Sequence, residues 1–193
     1  MRLFVGLAIP DAIQANLRSL FNRLRPLADF RWTPVENLHV TTKFIGEFPE
    51  ARLDELKAAL AGINGLSPGL GPVDISVRGL GWFPNPHHPR VFWAGVDGGE
   101  PLRALAAATD EATARLGIPS EDREFRPHLT LARLKGPTPL ESIRQGVAAL
   151  NSQDFGKFRA GGFVLYLSSH GASHGAAQAK YTSLAEFPLL TRP

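Results

Sequence analysis

Arg31-Trp32-Thr33-Pro34-Val35-Glu36-Asn37-Leu38-His39-Val40-Thr41-Thr42-Lys43-Phe44-Ile45-Gly46-Glu47 is the stretch that decides the fold, together with its counterpart Phe125-Arg126-Pro127-His128-Leu129-Thr130-Leu131-Ala132-Arg133. In each, a turn-rich or proline-bearing lead-in gives way to an apolar, β-prone run that opens on a histidine. The runs begin with the tetrads His39-Val40-Thr41-Thr42 and His128-Leu129-Thr130-Leu131, separated by nearly half of the 193-residue chain. One H-x-T-x tetrad in each half implies a duplicated unit and not an array of short repeats.

Working outward, Arg2–Ile9 reads as a buried strand, and Pro10-Asp11 opens a helix whose stripe Ile13, Leu17, Leu20, Phe21 and Leu24 runs to Pro26. Phe30–Thr33 and His39–Gly46 read as strands around a Pro34–Leu38 turn, with a helix from Pro49 to Leu60 and a Gly/Pro-rich loop behind it. Val73–Phe83 and Arg90–Asp97 form strands joined by Pro84-Asn85-Pro86-His87-His88-Pro89. A helix over Pro101–Leu116 follows, with the stripe Leu102, Leu105, Ala106, Thr109, Ala112 and Leu116 ending at Gly117. Phe125–Leu134 reads as a strand, Thr138–Leu150 as a helix, and Gly161–Ser168 and Ala177–Phe187 as two long strands around a His170–Ala176 loop. Strands mixed with crossover helices, and hairpins in the second half, point to an α+β fold. The expected form is a single bilobal domain spanning 1–193, a duplicated unit with two mainly antiparallel sheets flanked by helices. No Gly-rich linker is long enough to part the lobes.

Composition narrows the chemistry. The chain has no cysteine, which excludes disulfides, thiolate metal sites and thiol nucleophiles. The formal net charge of +3 suits an anionic substrate without identifying one. The apolar opening Met1–Pro10 is too short for a signal sequence or a bilayer span, so a cytoplasmic protein that does not enter a membrane is expected.

Residues two apart on a strand share a face, so His39 pairs with Thr41 and His128 with Thr130. Continued alternation puts Lys43 on the His39 face and Arg126 on the His128 face. Arg133 falls on the opposite face unless a bulge or the strand end returns it. Each half then offers an imidazole, a hydroxyl and a cation. Imidazole titrates near about pH 6.5, so one ring can give a proton while the other takes one. Hydroxyls and guanidinium groups can hold the charge that accumulates on phosphate oxygens. A lone H-x-T on a strand is commonplace; two in corresponding positions are not. His87 and His88, and His170 and His174 four apart, sit among Gly, Ser, Ala and Pro with no following carboxylate at ligand spacing, so solvated loops are expected there and no metal. Trp32, Phe44, Trp82 and Phe83 include candidates for a platform under a base.

The two quoted segments, with Met1–Pro10, Pro89-Arg90-Val91-Phe92-Trp93 and the closing Tyr181–Leu189, resemble the 2H phosphoesterases over nearly the whole chain. Within them they resemble the RNA 2',3'-cyclic phosphodiesterases, also called 2'-5' RNA ligases. The resemblance implies two lobes whose tetrads face each other across an active-site cleft, and no required cofactor. His39 and His128 are implied as the catalytic pair, His39 giving a proton to O3' and His128 taking one from water, with Thr41, Thr130 and Arg133 at the phosphate. The implied partner is an RNA with a 2',3'-cyclic phosphate terminus or a small cyclic nucleotide, met by a monomer. Thr42 departs from the family's usual hydrophobic residue. The competing readings are a binding module for RNA ends or nucleotides that keeps the cleft without turnover, and a two-histidine metal hydrolase, against which the lack of clustered ligands speaks.

Overall fold

A computed structural model describes residues 1–66, 70–134, 136, 138–169 and 179–190; the expected loop with His170 and His174 lies outside them. The strands are β1 (Arg2–Ala8), β2 (Arg31–Trp32), β3 (His39–Glu47), β4 (Val73–Phe83), β5 (Val91–Asp97), β6 (His128–Arg133), β7 (Asp154–Ala160), β8 (Gly162–Ser169) and β9 (Lys180–Pro188). They form one sheet in the order β3-β1-β8-β9 and a second in the order β2-β6-β5-β4-β7. All neighbouring pairs are antiparallel. The helices are α1 (Asp11–Leu24), α2 (Leu53–Ala61), α3 (Ile63–Leu66), α4 (Gly99–Ala114) and α5 (Glu141–Ala148).

The apolar stripes act as their spacing predicts. Ile13, Leu17, Leu20, Phe21 and Leu24 are the buried face of α1, which packs on β7. Gly156, with φ of +110°, lets that helix come close, since a Cβ there would stand 2.9 Å from the Ile13 Cδ1. The buried face of α4 lies over β3, and Gly117, with φ of +84°, follows its last turn.

Three readings needed revision. β7 was not anticipated, because Gly156 and the charged Lys157 and Arg159 break its apolar alternation. β6 begins at His128 and not at Phe125, since Pro127 has no N–H for the ladder and only its carbonyl bonds, accepting from Val96 N at 3.3 Å. The Gly/Pro-rich loop after α2 contains the short helix α3.

The tetrad strands are not regular. In β3, Thr41 pairs with Gly6 and Lys43 with Val5, which leaves Thr42 unpaired. In β6, Thr130 pairs with Trp93 and Ala132 with Phe92, which leaves Leu131 unpaired. Each strand thus bulges by one residue at the fourth position of its tetrad. Gly6 permits the first bulge, because a Cβ on it would come within 2.6 Å of the Val40 carbonyl oxygen. The second is tied down by Thr33 N, which donates to the Leu131 carbonyl at 2.9 Å.

The first bulge reverses the face expected for Lys43. Only 1% exposed, Lys43 points to α4, where its ammonium donates to the Asp110 carboxylate and, at 2.6 Å, to the Pro119 carbonyl. Burial alone would raise the Asp110 carboxyl, but the Lys43 ammonium, the Glu121 N–H and the Ser120 hydroxyl override it and hold it below the usual carboxylate range. Lys43 therefore ties the first tetrad's strand to the segment that leads to the second. Asp110 keeps access to water, its side chain being 26% exposed, so losing Lys43 is expected to cost about 1.5–3 kcal/mol, the range of a hydrogen bond to a charged group. Lys43→Ala is expected to lower the urea midpoint accordingly; an unchanged midpoint would remove this latch from the account of the fold.

Candidate active site

β3 is an edge of its sheet, and β6 stands one strand from the edge of the other, covered only at its end by the two residues of β2. Where these strands adjoin, both sheets line a cavity of about 470 Å³. His39, Thr41 and Phe44 enter it from β3, and His128, Thr130 and Arg133 from β6. Arg2, Arg31, Asn37 and Tyr181 also line it, and among the described residues none that lines it is Asp or Glu.

The imidazoles are held alike. His39 Nδ1 lies 2.8 Å from the Asn37 carbonyl and His128 Nδ1 2.7 Å from the Arg126 carbonyl, two residues back in each case. A carbonyl only accepts, so each Nδ1 carries the hydrogen and each Nε2 is left for a ligand. Asn37 is itself fixed, its side-chain amide donating to the Ala179 carbonyl at 2.7 Å.

Their surroundings differ. His39 lies against the Phe4 ring, with centroids 4.5 Å apart and planes 30° apart. Tyr181 meets it edge-on at 5.2 Å, and Tyr166 stands 6.0 Å away. His128 has Phe83 edge-on at 5.0 Å. Burial in the aromatic box pulls the His39 pKa down to about 4; the Asn37 carbonyl opposes this, and the charges of His128 and Arg133 add to it. Burial also lowers His128, against the Arg126 carbonyl and with help from Arg133. Arg133 lines the same cavity as both rings.

Of the residues singled out in the sequence, the cavity collects His39, His128, Thr41, Thr130 and Arg133 and leaves out two. Lys43 is buried behind the sheet. Arg126 is exposed and bound to Glu124 at 3.1 Å, so its carbonyl, not its guanidinium, serves the site. Arg133, which strict alternation turns away, is returned by the Leu131 bulge. Among the aromatic candidates, Phe44 stands on the cavity wall at 58% exposure, Trp32 lines it while buried, Phe83 abuts His128, and Trp82 packs on Phe92 in the core. Phe4, Arg31, Asn37 and Tyr181 were missed. Phe4 and Tyr181 lie far from His39 in sequence and reach it only through sheet pairing; the alternation about Trp32 held a signal for Arg31.

The chain is similar to known proteins over most of its length. The family model described as LigT-like phosphoesterase matches residues 7–93 and 96–174. An RNA 2',3'-cyclic phosphodiesterase of Archaeoglobus fulgidus is 33% identical over 86% of this chain and 89% of its own length. One from Thermus thermophilus is 36% identical over 72% of this chain and 71% of its own. A crystal structure of a Thermus thermophilus protein superposes with a TM-score of 0.77 at 32% identity, covering 98% of each chain. That of Escherichia coli LigT complexed with 3'-AMP has a TM-score of 0.74 at 22% identity and shares the fold over 98% of each chain. From its tetrads to its paired sheets, the chain belongs to the LigT-like phosphoesterase family.

Proposed function

We propose that this protein hydrolyses RNA 2',3'-cyclic phosphate ends to 2'-phosphomonoesters by acid–base catalysis between His39 and His128, without a metal. The observation that carries this reading is the pairing of two imidazoles, each with its Nδ1 on a backbone carbonyl, and two threonines in one cavity that has no carboxylate among the described residues lining it. In-line opening of a cyclic phosphate needs a base on the attacking water and an acid on the departing oxygen. Thr41, Thr130 and Arg133 are suited to hold the anionic oxygens, where charge grows in the transition state. The names of the relatives agree with this substrate. Phe44, on the β3 wall of the cavity, offers its ring to the terminal base.

Purified protein is expected to convert an oligonucleotide ending in a 2',3'-cyclic phosphate to a 2'-phosphate, with activity surviving EDTA. His39→Ala and His128→Ala should each lose about 10²–10⁴-fold in rate, and Thr41→Ala or Thr130→Ala up to about 10²–10³-fold. A 3'-phosphate product would reverse the roles of the two histidines. Turnover abolished by chelation and restored by a divalent ion would sink the metal-free mechanism.

The pH dependence has a defined sign. Catalysis as proposed needs His39 protonated and His128 neutral. In the free protein His39 titrates at about 4 and His128 below its ordinary value. Raising the pH past about 4 strips the proton from His39, and lowering it through the His128 value blocks the base. The maximum of kcat/KM is therefore expected below about pH 6.5. A phosphate between the rings favours imidazolium, so the alkaline limb of kcat should lie at higher pH than that of kcat/KM. A kcat/KM maximum above pH 7 would contradict this reading of the His39 environment.

Phe44→Ala is expected to raise KM by about 5-fold to 150-fold, the equivalent of one stacked base, with a smaller change in kcat. An unchanged KM for the oligonucleotide would take Phe44 out of base recognition.

A further inference from the structure

Asn37 ends the short turn Val35–Asn37 that leads into β3, and the core holds that turn by Val35 and the following Leu38, each 4% exposed. An asparagine in a turn ordinarily bonds backbone a residue or two away. Here the side chain reaches instead to the Ala179 carbonyl, 142 residues further along the chain, and donates to it at 2.7 Å. Ala179 stands one residue before β9, outside the β8–β9 ladder, which starts at Lys180. β3 and β9 are the opposite edges of their sheet, with β1 and β8 between them. Asn37 and Ala179 both line the cavity, so their bond crosses its wall from the lead-in of one edge strand to that of the other.

His39 is touched from both ends of this bond. The Asn37 carbonyl faces its Nδ1 at 2.8 Å, and Tyr181, two residues after Ala179, meets the ring edge-on at 5.2 Å. Moving either end alters the seat of the imidazole. Rotation of the Asn37 peptide removes the acceptor that keeps the hydrogen on Nδ1, and withdrawal of the start of β9 lets water reach the ring. His128 has no such tie among the described residues. Arg126 supplies the matching carbonyl at 2.7 Å, but its side chain is exposed and bound to Glu124. The clamp therefore belongs to one tetrad only.

We propose that the Asn37 side chain is a positioning residue for His39. By holding Ala179 it fixes both the carbonyl that sets the His39 tautomer and the Tyr181 ring against the imidazole edge, so that Nε2 is presented to the departing oxygen. This rests on the reading of His39 as the proton donor. Asn37 acts on the reaction through the imidazole alone.

Long-range proton–nitrogen correlation spectra of the labelled protein read the tautomer and titration of each imidazole without turnover. In the wild type, neutral His39 should carry its hydrogen on Nδ1 and titrate at about 4. Asn37→Ala should admit the Nε2–H tautomer and move the titration up toward the ordinary value of about 6.5. Asn37→Asp, the same shape with no amide to donate, should do likewise and move it further, since its carboxylate favours imidazolium. The titratable and charged groups facing His39 or sharing its cavity are Tyr166 of β8, Tyr181 of β9, His128 and Arg133 of β6, Arg31 of β2 and Arg2 of β1. None of them is changed in these variants, and His128 should keep its tautomer in both. In hydrolysis of the cyclic oligonucleotide each variant should lose about 10-fold to 10²-fold in kcat with KM little changed. The alkaline limb of kcat/KM should rise with the His39 titration. Circular dichroism and a thermal melt check the fold; should Asn37→Ala not fold, Asn37→Asp carries the same comparison. A His39 tautomer and titration unchanged in the folded variants would overturn the positioning role, even if turnover fell. Altered His39 signals in those variants, with His39→Ala still turning over at the wild-type rate, would refute the proton donor and leave the tie between Asn37 and the imidazole standing.

Discussion

In an antiparallel ladder the face of every side chain is set by parity, and one inserted residue reverses parity for everything beyond it. Both tetrad strands contain such an insertion, at Thr42 and at Leu131. Without it, Lys43 would stand in the cavity and Arg133 would lie buried on the far side. With it, two successive residues after each threonine face inward, Thr42 and Lys43 in β3, Leu131 and Ala132 in β6, all buried. The next residue, Phe44 or Arg133, returns to the cleft. The bulges also need support from elsewhere: a glycine beneath Val40 in one case and the Thr33 amide against Leu131 in the other.

The same device links the two sheets. Lys43, displaced from the cleft, is the residue that grips Asp110 and the Pro119 carbonyl, and so holds the segment entering the second tetrad. Each histidine is positioned by a carbonyl two residues before it, so the backbone that approaches the strand matters as much as the strand. Some of this arrangement opposes stability. Among the described residues the buried Thr42 hydroxyl has no hydrogen-bond partner, an arrangement that costs about 1–3 kcal/mol. His39 is kept in an aromatic box that disfavours its charged form.

Much of the fold was legible because it rests on periodicity. The stripes of α1 and α4, the strand pairs β4–β5 and β8–β9, and the antiparallel, two-sheet α+β arrangement all follow from spacing. The strand β7 was not legible, since Gly156 removes one side chain from its pattern and its interior side chains, Phe155, Phe158 and Ala160, are interrupted by Lys157 and Arg159. At the site, His39 with Thr41 and His128 with Thr130 could be read from alternation over two residues. Lys43 could not, because it lies past the bulge, and a bulge is fixed by contacts with Gly6 that strand parity does not contain. Arg126 failed for another reason: it precedes the strand, so parity did not govern it. Phe4 and Tyr181 reach His39 by long-range pairing, which no local pattern encodes, and Asn37 reaches it through a backbone carbonyl, which side-chain patterning does not report.

Duplication makes the two tetrads equivalent in sequence, yet hydrolysis as proposed needs them to differ. The structure supplies differences that parity alone would not. Among the described residues, His39 sits among three aromatic rings and His128 beside one. Five residues after each histidine, at corresponding places beyond each bulge, stand Phe44 on one side and Arg133 on the other. A ring attracts a base and a guanidinium attracts a phosphate, so the two walls present different chemistry to a ligand lying between them. A site built from two like halves thereby acquires a direction. A substrate with distinct base and phosphate ends would be held in one orientation, and the choice of which histidine meets the departing oxygen follows from that orientation and not from the tetrads themselves.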